Sequence, residues 1–383
     1  MNKGSLFEIG YKLINILTQW LPLKNIIILE SKPDFSDNTF ALYEELIKKG
    51  YNKKYKFYWM LNENVTNFDL PENVFVQNKW YGSFFDKIKA KYLCARAKFI
   101  IDCNNFVYKS HKKQVRLHLK HGLPMKDASV YNHTIGETDL ISVPSEYWIE
   151  QCAKEHNVSP DCIKPLGFPR NDVLKPKPHP TKNIIWMPTF RNHSNGAFHG
   201  FDFNSIMPLG LPFIQSTDVL KEINELFKQN GAYLLVRLHP AQDTSKINLS
   251  EMSNIKLCDN KFLKENNITL YSLLCYTDAL VSDYSSTYYD YLMLSKPIAL
   301  ATADFEQYKK NNGILAKDKD EFMNHYPAVF LESYTDLIEF FKGVLNGDSS
   351  VYRCADAKEK YMGSQTDNSC GKIIEYLTKN YGL

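Results

Sequence analysis

Short apolar runs alternate with longer amphipathic runs along the chain. β-Branched and aromatic residues dominate the short runs of the first half, which predict strands at 25–30, 56–61, 98–102, 115–120 and 140–145. Helical periodicity at 39–50 and 84–97 separates several of these strands. Strands that alternate with helices are typical of a parallel sheet, so the pattern predicts an α/β fold.

A proline-rich stretch, KPKPHPTK at 175–182, interrupts the alternation. Its three prolines exclude a helix or a central strand, so the stretch is predicted to be a stiff connector. The alternation then restarts, with a helix at 218–231 and strands at 183–187, 232–238, 278–282 and 297–301. We therefore predict two Rossmann-like domains, 1–175 and 183–355, with a cleft between them. A helical segment at 356–383 is predicted to pack back on the first domain.

The stretch at 5–24 has apolar residues at helical spacings, which predict an amphipathic helix; they are Leu6, Ile9, Leu13, Ile16, Leu17 and Trp20. Two interpretations remain open: the helix packs on the protein's own core, or it docks on a membrane surface. The chain has no run of about twenty apolar residues, so no segment is predicted to span a bilayer. The stretch also lacks the small-residue pattern of a cleavable signal.

Composition narrows the class of protein. The 383 residues exceed what one hydrophobic core usually serves, and 44% hydrophobic with 23% charged residues is typical of a globular chain. The 46 basic and 43 acidic residues give a net charge of +3, which is too balanced to indicate a nucleic-acid partner. The eight cysteines are scattered without a C-x-x-C pair, which predicts a reduced, intracellular protein without a zinc site.

Ligands of open parallel sheets lie beyond the carboxyl ends of the strands, so the residues that follow each predicted strand are candidates for chemistry. His121 follows the strand at 115–120, where Gly122 permits a sharp turn. A histidine held at a strand end suits a general base. Six lysines and arginines and no acids lie at 103–126, which indicates a positive local field and an anionic ligand. The alternative is a set of solvated side chains near a turn.

The second domain has comparable strand ends. Thr189 and Arg191 follow the strand at 183–187, and an arginine can bind phosphate through two parallel hydrogen bonds. Arg237 and His239 end the strand at 232–238, so this histidine occupies a position equivalent to that of His121. A surface arginine is more often structural or solvated, and that alternative stays open for Arg191.

A hydroxyl-rich turn follows the strand at 278–282. Ser285, Ser286 and Thr287 precede an aromatic helix, whose N-terminal N–H groups and dipole favour an anion. The alternative is an ordinary capping box formed by Thr287 and Asp290. The sequence has no P-loop, G-x-G-x-x-G, H-E-x-x-H or G-x-S-x-G motif, which excludes the usual kinase, dehydrogenase, metalloprotease and esterase classes. Phosphate-binding chemistry with two candidate imidazoles remains.

Five motifs together resemble a known family: HGLPMK at 121–126, GFPRND at 167–172, PTFR at 188–191, RLHP at 237–240 and DYSSTYYD at 283–290. Their order and spacing are similar to those of the CDP-glycerol glycerophosphotransferases of the teichoic acid primase and polymerase family. The stretches at 36–46 and 296–308 are also similar to that family. The resemblance extends over about 25–375. It implies a GT-B-like fold, with the acceptor handled by the N-terminal domain and the CDP-activated donor bound mainly by the C-terminal one.

The resemblance also implies a reaction, in which an acceptor hydroxyl attacks the β-phosphoryl group of CDP-glycerol and CMP is released. It implies that His121 is the base for that hydroxyl and that His239 contacts the phosphates of the donor. The other residues implied for donor or phosphate binding are Thr189, Arg191, Arg237, Asp283, Ser285, Ser286 and Thr287. The residues implied on the acceptor side are Lys126 and Arg170. No carboxylate cluster in the sequence indicates a metal site, although Mg²⁺ could assist the pyrophosphate.

Some features depart from the family pattern or leave it open. Leu123 stands where a small hydroxyl residue is common, and Met125 where leucine is common, so packing on the acceptor side is open. The motifs do not distinguish CDP-glycerol from CDP-ribitol. Two further alternatives are a GT-B glycosyltransferase that uses a nucleotide sugar and an inactive glycan-binding scaffold. The favoured hypothesis is glycerol phosphate transfer to a lipid-linked or polymeric glycan in teichoic acid or capsule synthesis, on the cytoplasmic face of the cell membrane.

Overall fold

A computed structural model describes residues 20–63, 69–79, 82–104, 107, 109–125, 135, 137–189, 210–239, 249–312, 314–351, 355–363 and 367–383. The amphipathic helix predicted at 5–24 lies almost entirely outside these ranges, as do Lys126 and Arg191. The chain divides into two compact units. The first unit comprises 1–121, 133–172 and 365–383, and the second comprises 122–132 and 173–364.

Each unit is built on one parallel sheet. The first sheet has seven strands in the order β3-β2-β1-β4-β5-β6-β7. These strands are β1 (Lys24–Glu30), β2 (Lys56–Leu61), β3 (Val74–Asn78), β4 (Ala97–Asp102), β5 (Val115–His118), β6 (Leu140–Ser142) and β7 (Ile163–Lys164). The second sheet has six strands in the order β10-β9-β8-β11-β12-β13. These strands are β8 (Asn183–Trp186), β9 (Tyr233–Val236), β10 (Ile255–Leu257), β11 (Ala279–Ser282), β12 (Ile298–Ala301) and β13 (Val329–Leu331).

Helices connect most of the strands. In chain order the α-helices of the described residues are α1 (Asp37–Lys48), α2 (Phe84–Arg96), α3 (Ile149–His156), α4 (Thr217–Gln229), α5 (Asn260–Glu265), α6 (Leu270–Leu274), α7 (Thr287–Leu292), α8 (Phe305–Asn312), α9 (Lys319–His325), α10 (Tyr334–Asn346), α11 (Ala355–Met362) and α12 (Ser369–Tyr381). No helix within the described ranges has the length and apolar character that crossing a bilayer requires.

Both faces of the first sheet are buried, which explains why its strands are almost continuously apolar. Ile27 and Leu29 of β1 pack with α1 and α12 on one face. Ile26 and Ile28 pack on the other face with Leu93 of α2. Helix α12 therefore supplies part of the core of the first unit, although about two hundred residues separate it from the rest of that unit. Asp172 fixes its start by accepting hydrogen bonds from the N–H groups of Ser369 and Cys370, at 2.7 and 2.8 Å.

The second sheet has a comparable core. Strands β8, β9 and β11 contribute Trp186, Val236 and Val281 to a buried cluster with α4 and α10. The ring of Trp186 lies edge-on to Phe341 of α10, with centroids 6.3 Å apart. In both sheets the first three strands of the unit lie side by side in chain order toward one edge, and the fourth strand lies on the opposite side of the first. This order leaves a switch point at the carboxyl edge, where open α/β sheets bind their ligands.

The α/β class and the two parallel sheets are confirmed. Four strands were not predicted, and all four are edge strands: β3, β7, β10 and β13. The residues at 174–182 form neither a helix nor a strand. The cleft between the two sheets stays a prediction.

Candidate active site

His121 lies in a turn that begins earlier than predicted. Strand β5 ends at His118, Lys120 takes a φ of 55° in the left-handed region, and the chain bends at His121. The sharp turn that the sequence analysis assigned to Gly122 stays a prediction. The side chain of His121 is 64% exposed, so its imidazole reaches solvent from an otherwise buried segment.

An acid that sequence analysis did not select orients this imidazole. Nδ1 of His121 makes a short hydrogen bond with Oδ2 of Asp37, the first residue of α1. Burial on its own would raise the pKa of Asp37, but Arg170 and His121 outweigh burial and hold the pKa at about 2. The carboxylate is therefore ionised and can only accept, so Nδ1 carries the proton. In the neutral form of the ring, the lone pair lies on Nε2, as a general base requires.

Arg170 holds the other side of this acid. Its guanidinium donates to Oδ1 of Asp37 at 2.5 Å and also to the carbonyl oxygen of His121. The arginine is buried in a 3₁₀ turn at Pro169–Val173. The guanidinium of Arg170 therefore contacts both Asp37 and His121, and the acceptor-side role that the resemblance implied stays a prediction.

Asn38 completes the arrangement. Its Nδ2 donates to the carbonyl oxygens of Leu119 and Lys120, at 3.3 and 3.0 Å, and its Oδ1 accepts the N–H of Arg170 at 3.1 Å. The pair Asp37 and Asn38 therefore links the turn of His121 to the turn of Arg170. In the sequence, this pair looks like the ordinary polar start of a helix. Its place in the stretch at 36–46, which is similar to the family, was the one signal that the pair could have a functional role.

Three of the six cations that predicted a positive field around His121 are paired with acids. Arg116 pairs with Asp102 at 2.6 Å, Lys109 with Asp139 at 2.9 Å and Lys120 with Glu155 at 2.7 Å. All three cationic side chains are buried. The prediction counted them as positive charge without a partner because their acids lie outside the stretch at 103–126. Lys126, the other acceptor-side residue, lies outside the described residues.

In the second unit, Thr189 and Asp283 lie together. The N–H of Thr189 donates to both carboxylate oxygens of Asp283, at 2.9 and 3.0 Å, and the N–H of Tyr284 donates to Oδ1 at 2.7 Å. Asp283 is fully buried. Its carboxylate therefore fixes the loop that follows β8, a role that the sequence analysis did not predict. Contact of either residue with a donor stays a prediction.

Arg237 and His239 follow β9. The guanidinium of Arg237 donates to the carbonyl oxygen of Cys258 at 2.8 Å and to Oδ1 of Asn260 at 2.5 Å, so it ties β9 to the segment after β10. Burial lowers the pKa of this guanidinium from its ordinary value. His239 is exposed at the carboxyl edge of the sheet. Its contact with donor phosphates stays a prediction, as does that of Arg237.

The hydroxyl-rich turn after β11 contains Ser285, Ser286 and Thr287, which are all half-buried. Helix α7 begins at Thr287, and Ser285 Oγ donates to Thr287 Oγ1 at 3.1 Å. The alternative capping box is wrong, because the cap residue Ser286 makes no side-chain cap bond and Asp290 instead accepts from Tyr271 Oη at 2.8 Å.

Strands β9, β8 and β11 are neighbours and parallel, so the segments after them meet at one edge of the second sheet. That edge brings together Thr189, His239 and the three hydroxyl residues. Arg191, two residues beyond Thr189, lies outside the described residues. Within the described ranges, no group of three or more His, Cys, Asp or Glu side chains is arranged to hold a metal ion.

Comparisons with known proteins bear on this arrangement. A sequence model of the family described as CDP-glycerol:poly(glycerophosphate) glycerophosphotransferase matches residues 14–379. The teichoic acid ribitol-phosphate polymerase TarK of Staphylococcus aureus is 23% identical over 408 residues, covering 96% of this chain and 71% of that protein. The teichoic acid glycerol-phosphate primase of Bacillus subtilis is 24% identical over 397 residues, with 95% of each covered. A solved structure of the wall teichoic acid polymerase TagF shares the fold, with a TM-score of 0.74 at 19% identity over 97% of this chain and 93% of that chain.

Proposed function

Because the chain belongs to the CDP-glycerol:poly(glycerophosphate) glycerophosphotransferase family, we propose that it transfers glycerol phosphate from CDP-glycerol to a hydroxyl of a glycan acceptor in teichoic acid synthesis, with His121 as the base. The observation that carries the role of His121 is its hydrogen bond to the ionised Asp37, which places the lone pair on Nε2. The acceptor is lipid-linked or polymeric. A capsule-type polymer is an alternative product.

His121 and Asp37 account for the proton that moves in the chemical step. Nε2 of His121 takes the proton of the acceptor hydroxyl while the acceptor oxygen forms a bond to the β-phosphorus. The bond between that phosphorus and the bridging oxygen breaks, and the oxygen leaves with CMP. The imidazolium that forms is stabilised by Asp37, whose charge Arg170 keeps in place. In phosphoryl transfer, positioning and charge stabilisation supply most of the catalysis.

The second unit is proposed to bind the donor. Support comes from the carboxyl edge of its sheet, where His239, Thr189 and the hydroxyls of Ser285, Ser286 and Thr287 follow adjacent strands. Hydroxyl and imidazole donors at such an edge suit a pyrophosphate. Arg191 is proposed to add the cationic partner, and assistance by Mg²⁺ stays a prediction. Activity that survives exhaustive chelation would exclude the metal.

The identity of the polyol is the main alternative. TarK and TarL of Staphylococcus aureus, which are 23% identical to this chain over 408 residues, are named as ribitol-phosphate polymerases. The primase of Bacillus subtilis is named for glycerol phosphate. CDP-ribitol is therefore the second candidate donor.

A donor panel tests the proposal. CDP-glycerol, CDP-ribitol and UDP-sugars are each incubated with the chain and a short-chain lipid-linked glycan, and nucleotide release is measured. We expect CMP from CDP-glycerol. CMP from CDP-ribitol alone would favour the second candidate, and UDP release would indicate a glycosyltransferase. An absence of product with every donor, together with acceptor binding, would favour the inactive scaffold.

A membrane-surface location on the cytoplasmic side is also proposed, supported by helix α2. Phe84 and Phe85 of this helix are 59% and 79% exposed, and Ile88 and Tyr92 continue the same exposed face. An exposed lysine, Lys89, lies beside them. Aromatic side chains next to cations suit the interface of an anionic bilayer.

Vesicle sedimentation tests this location. We expect the chain to bind vesicles that contain phosphatidylglycerol more than vesicles of phosphatidylcholine alone. Replacing Phe84 and Phe85 with serine is expected to weaken this binding severalfold, whereas Val173→Ser, at another apolar site that is 48% exposed, leaves it unchanged. Equal binding of all variants would contradict a role for α2.

A further inference from the structure

The turn that carries His121 is anchored by a buried lysine that neither the reaction nor the motifs require. Lys120 directly precedes His121, and only 4% of its side chain is exposed. Its ammonium contacts Oε2 of Glu155 at 2.7 Å and Nε2 of His156 at 2.8 Å. An ammonium can only donate, so His156 accepts through Nε2 and is neutral. Both partners lie in the last turn of α3.

The backbone of Lys120 sits in an unusual conformation for a side chain of this size. Its φ of 55° lies in the left-handed region, which lysine rarely adopts. Nδ2 of Asn38 donates hydrogen bonds to the carbonyl oxygens of Leu119 and Lys120, and the guanidinium of Arg170 donates to the carbonyl oxygen of His121. Asn38 and Arg170 donate hydrogen bonds to backbone oxygens of the turn, whereas the polar contacts to Glu155 and His156 of α3 are made by the lysine ammonium.

We propose that Lys120 is a positioning residue for His121: its buried ammonium, held by Glu155 and His156, fixes the left-handed turn that points the imidazole at Asp37. The inference rests on the proposed role of His121 as the base. Without the ammonium, the imidazole loses a fixed direction and its hydrogen bond to Asp37 becomes intermittent. The catalytic step then slows while donor binding, assigned to the second unit, does not change.

The test compares two buried lysines of the first unit. Lys120→Met removes the ammonium at the turn, and Lys109→Met removes a control ammonium that is 3% exposed and pairs with Asp139 at 2.9 Å. Glu155→Gln is a milder variant that keeps the size of the side chain. For Lys120→Met we expect kcat to fall about tenfold to a hundredfold, as misplacement of a reacting group by about 1 Å does. KM for CDP-glycerol is expected to change less than twofold.

A second readout needs no turnover. In protein labelled with ¹⁵N-histidine, the two ring nitrogens of His121, assigned by the loss of their signals in His121→Gln, report the tautomer. We expect a single Nδ1–H tautomer in the natural chain and in Lys109→Met, and exchange between tautomers in Lys120→Met. A Lys120→Met protein with the kcat of Lys109→Met, or with an unaltered tautomer, would overturn the inference.

One more variant separates the side chain from the backbone. Lys120→Gly relaxes the left-handed conformation but also removes the ammonium. We expect it to lose as much kcat as Lys120→Met; recovery of kcat would show that backbone conformation alone matters and would exclude the ammonium. If His121→Ala itself keeps its activity, the proposed role of His121 as the base fails, yet the tautomer measurement still decides whether Lys120 positions His121.

Discussion

His121 and His239 follow strands in equivalent positions, but their surroundings differ. An ionised acid binds Nδ1 of His121, and an arginine and an asparagine hold its turn. The guanidinium of Arg237, two residues before His239, is committed to the segment after β10, and the carboxylate of Asp283 accepts backbone N–H groups. A histidine oriented by a carboxylate is equipped to take a proton, whereas an exposed histidine among donors is equipped to bind phosphate. Position in a sheet therefore does not decide the role of an imidazole.

Removal of the proposed base should have the largest effect. We expect His121→Ala to lower kcat by about a hundredfold or more, because general base catalysis typically contributes that much. KM for CDP-glycerol should change little. His111→Ala, in the same unit, is the control; the Nδ1 of His111 accepts the N–H of Lys113 at 3.0 Å. Steady-state CMP release measures both, and equal activity of the two variants would contradict the comparison.

Asp37→Asn should follow, with a loss in kcat of about a hundredfold. The amide keeps the size of the side chain but can present a donor to Nδ1, which moves the lone pair of His121 away from Nε2. Asp86→Asn is the matched control, since Asp86 also lies in the first turn of a helix and forms its capping box with Ser83, far from His121 in sequence. A loss confined to KM would contradict an orienting role for Asp37.

His239→Ala should act on the donor instead. We expect KM for CDP-glycerol to rise about tenfold to a hundredfold, the value of a hydrogen bond to a charged group, with a smaller change in kcat. His179→Ala, in the second unit, is the control. A fall in kcat with an unchanged KM would make His239 resemble His121 and remove the contrast between them.

The smallest effect concerns stability in acid. The pKa of Asp37 is about 2 in the folded chain and 3.8 in a model compound, so the stabilisation that it provides is complete above about pH 4. It is lost as the pH falls from about 4 to 2, and it corresponds to about 2 kcal/mol. The difference in unfolding free energy between the natural chain and Asp37→Asn should shrink over that range in urea titrations. If the difference in unfolding free energy does not change with pH, the ionised form of Asp37 does not stabilise the folded chain.

Sequence analysis predicted the central strands and missed the edges for a physical reason. Central strands are covered on both faces and flanked on both sides, which requires long apolar runs. Three of the four edge strands are short: β7 has two residues, and β10 and β13 have three each, whereas β3 has five. Runs of that length carry almost no periodic signal, so only the assembled sheet reveals them.

The candidate site was likewise predicted only in part. His121 and His239 could be predicted because each follows a strand directly, which is a local feature. The bond between Asp37 and His121 joins residues 84 apart in sequence, and that between Asp37 and Arg170 joins residues 133 apart. Separations of that size depend on topology and leave no local pattern. The pairing of Lys109, Arg116 and Lys120 could not be predicted for the same reason, since their acids come from outside the stretch at 103–126. The family resemblance, which drew on all five motifs together, is confirmed.

Helix α12 has a consequence for synthesis of the chain on the ribosome. The helix is joined to Asp172 by hydrogen bonds that span 197 and 198 residues, and it covers one face of the sheet whose carboxyl edge presents His121. At about 5–20 residues per second, translation takes on the order of ten to forty seconds to travel that distance. Throughout that interval the part of this face that α12 covers stays exposed in the nascent first unit. The half of the protein that is made first thus finishes folding last, and we expect it to need protection from aggregation during that interval.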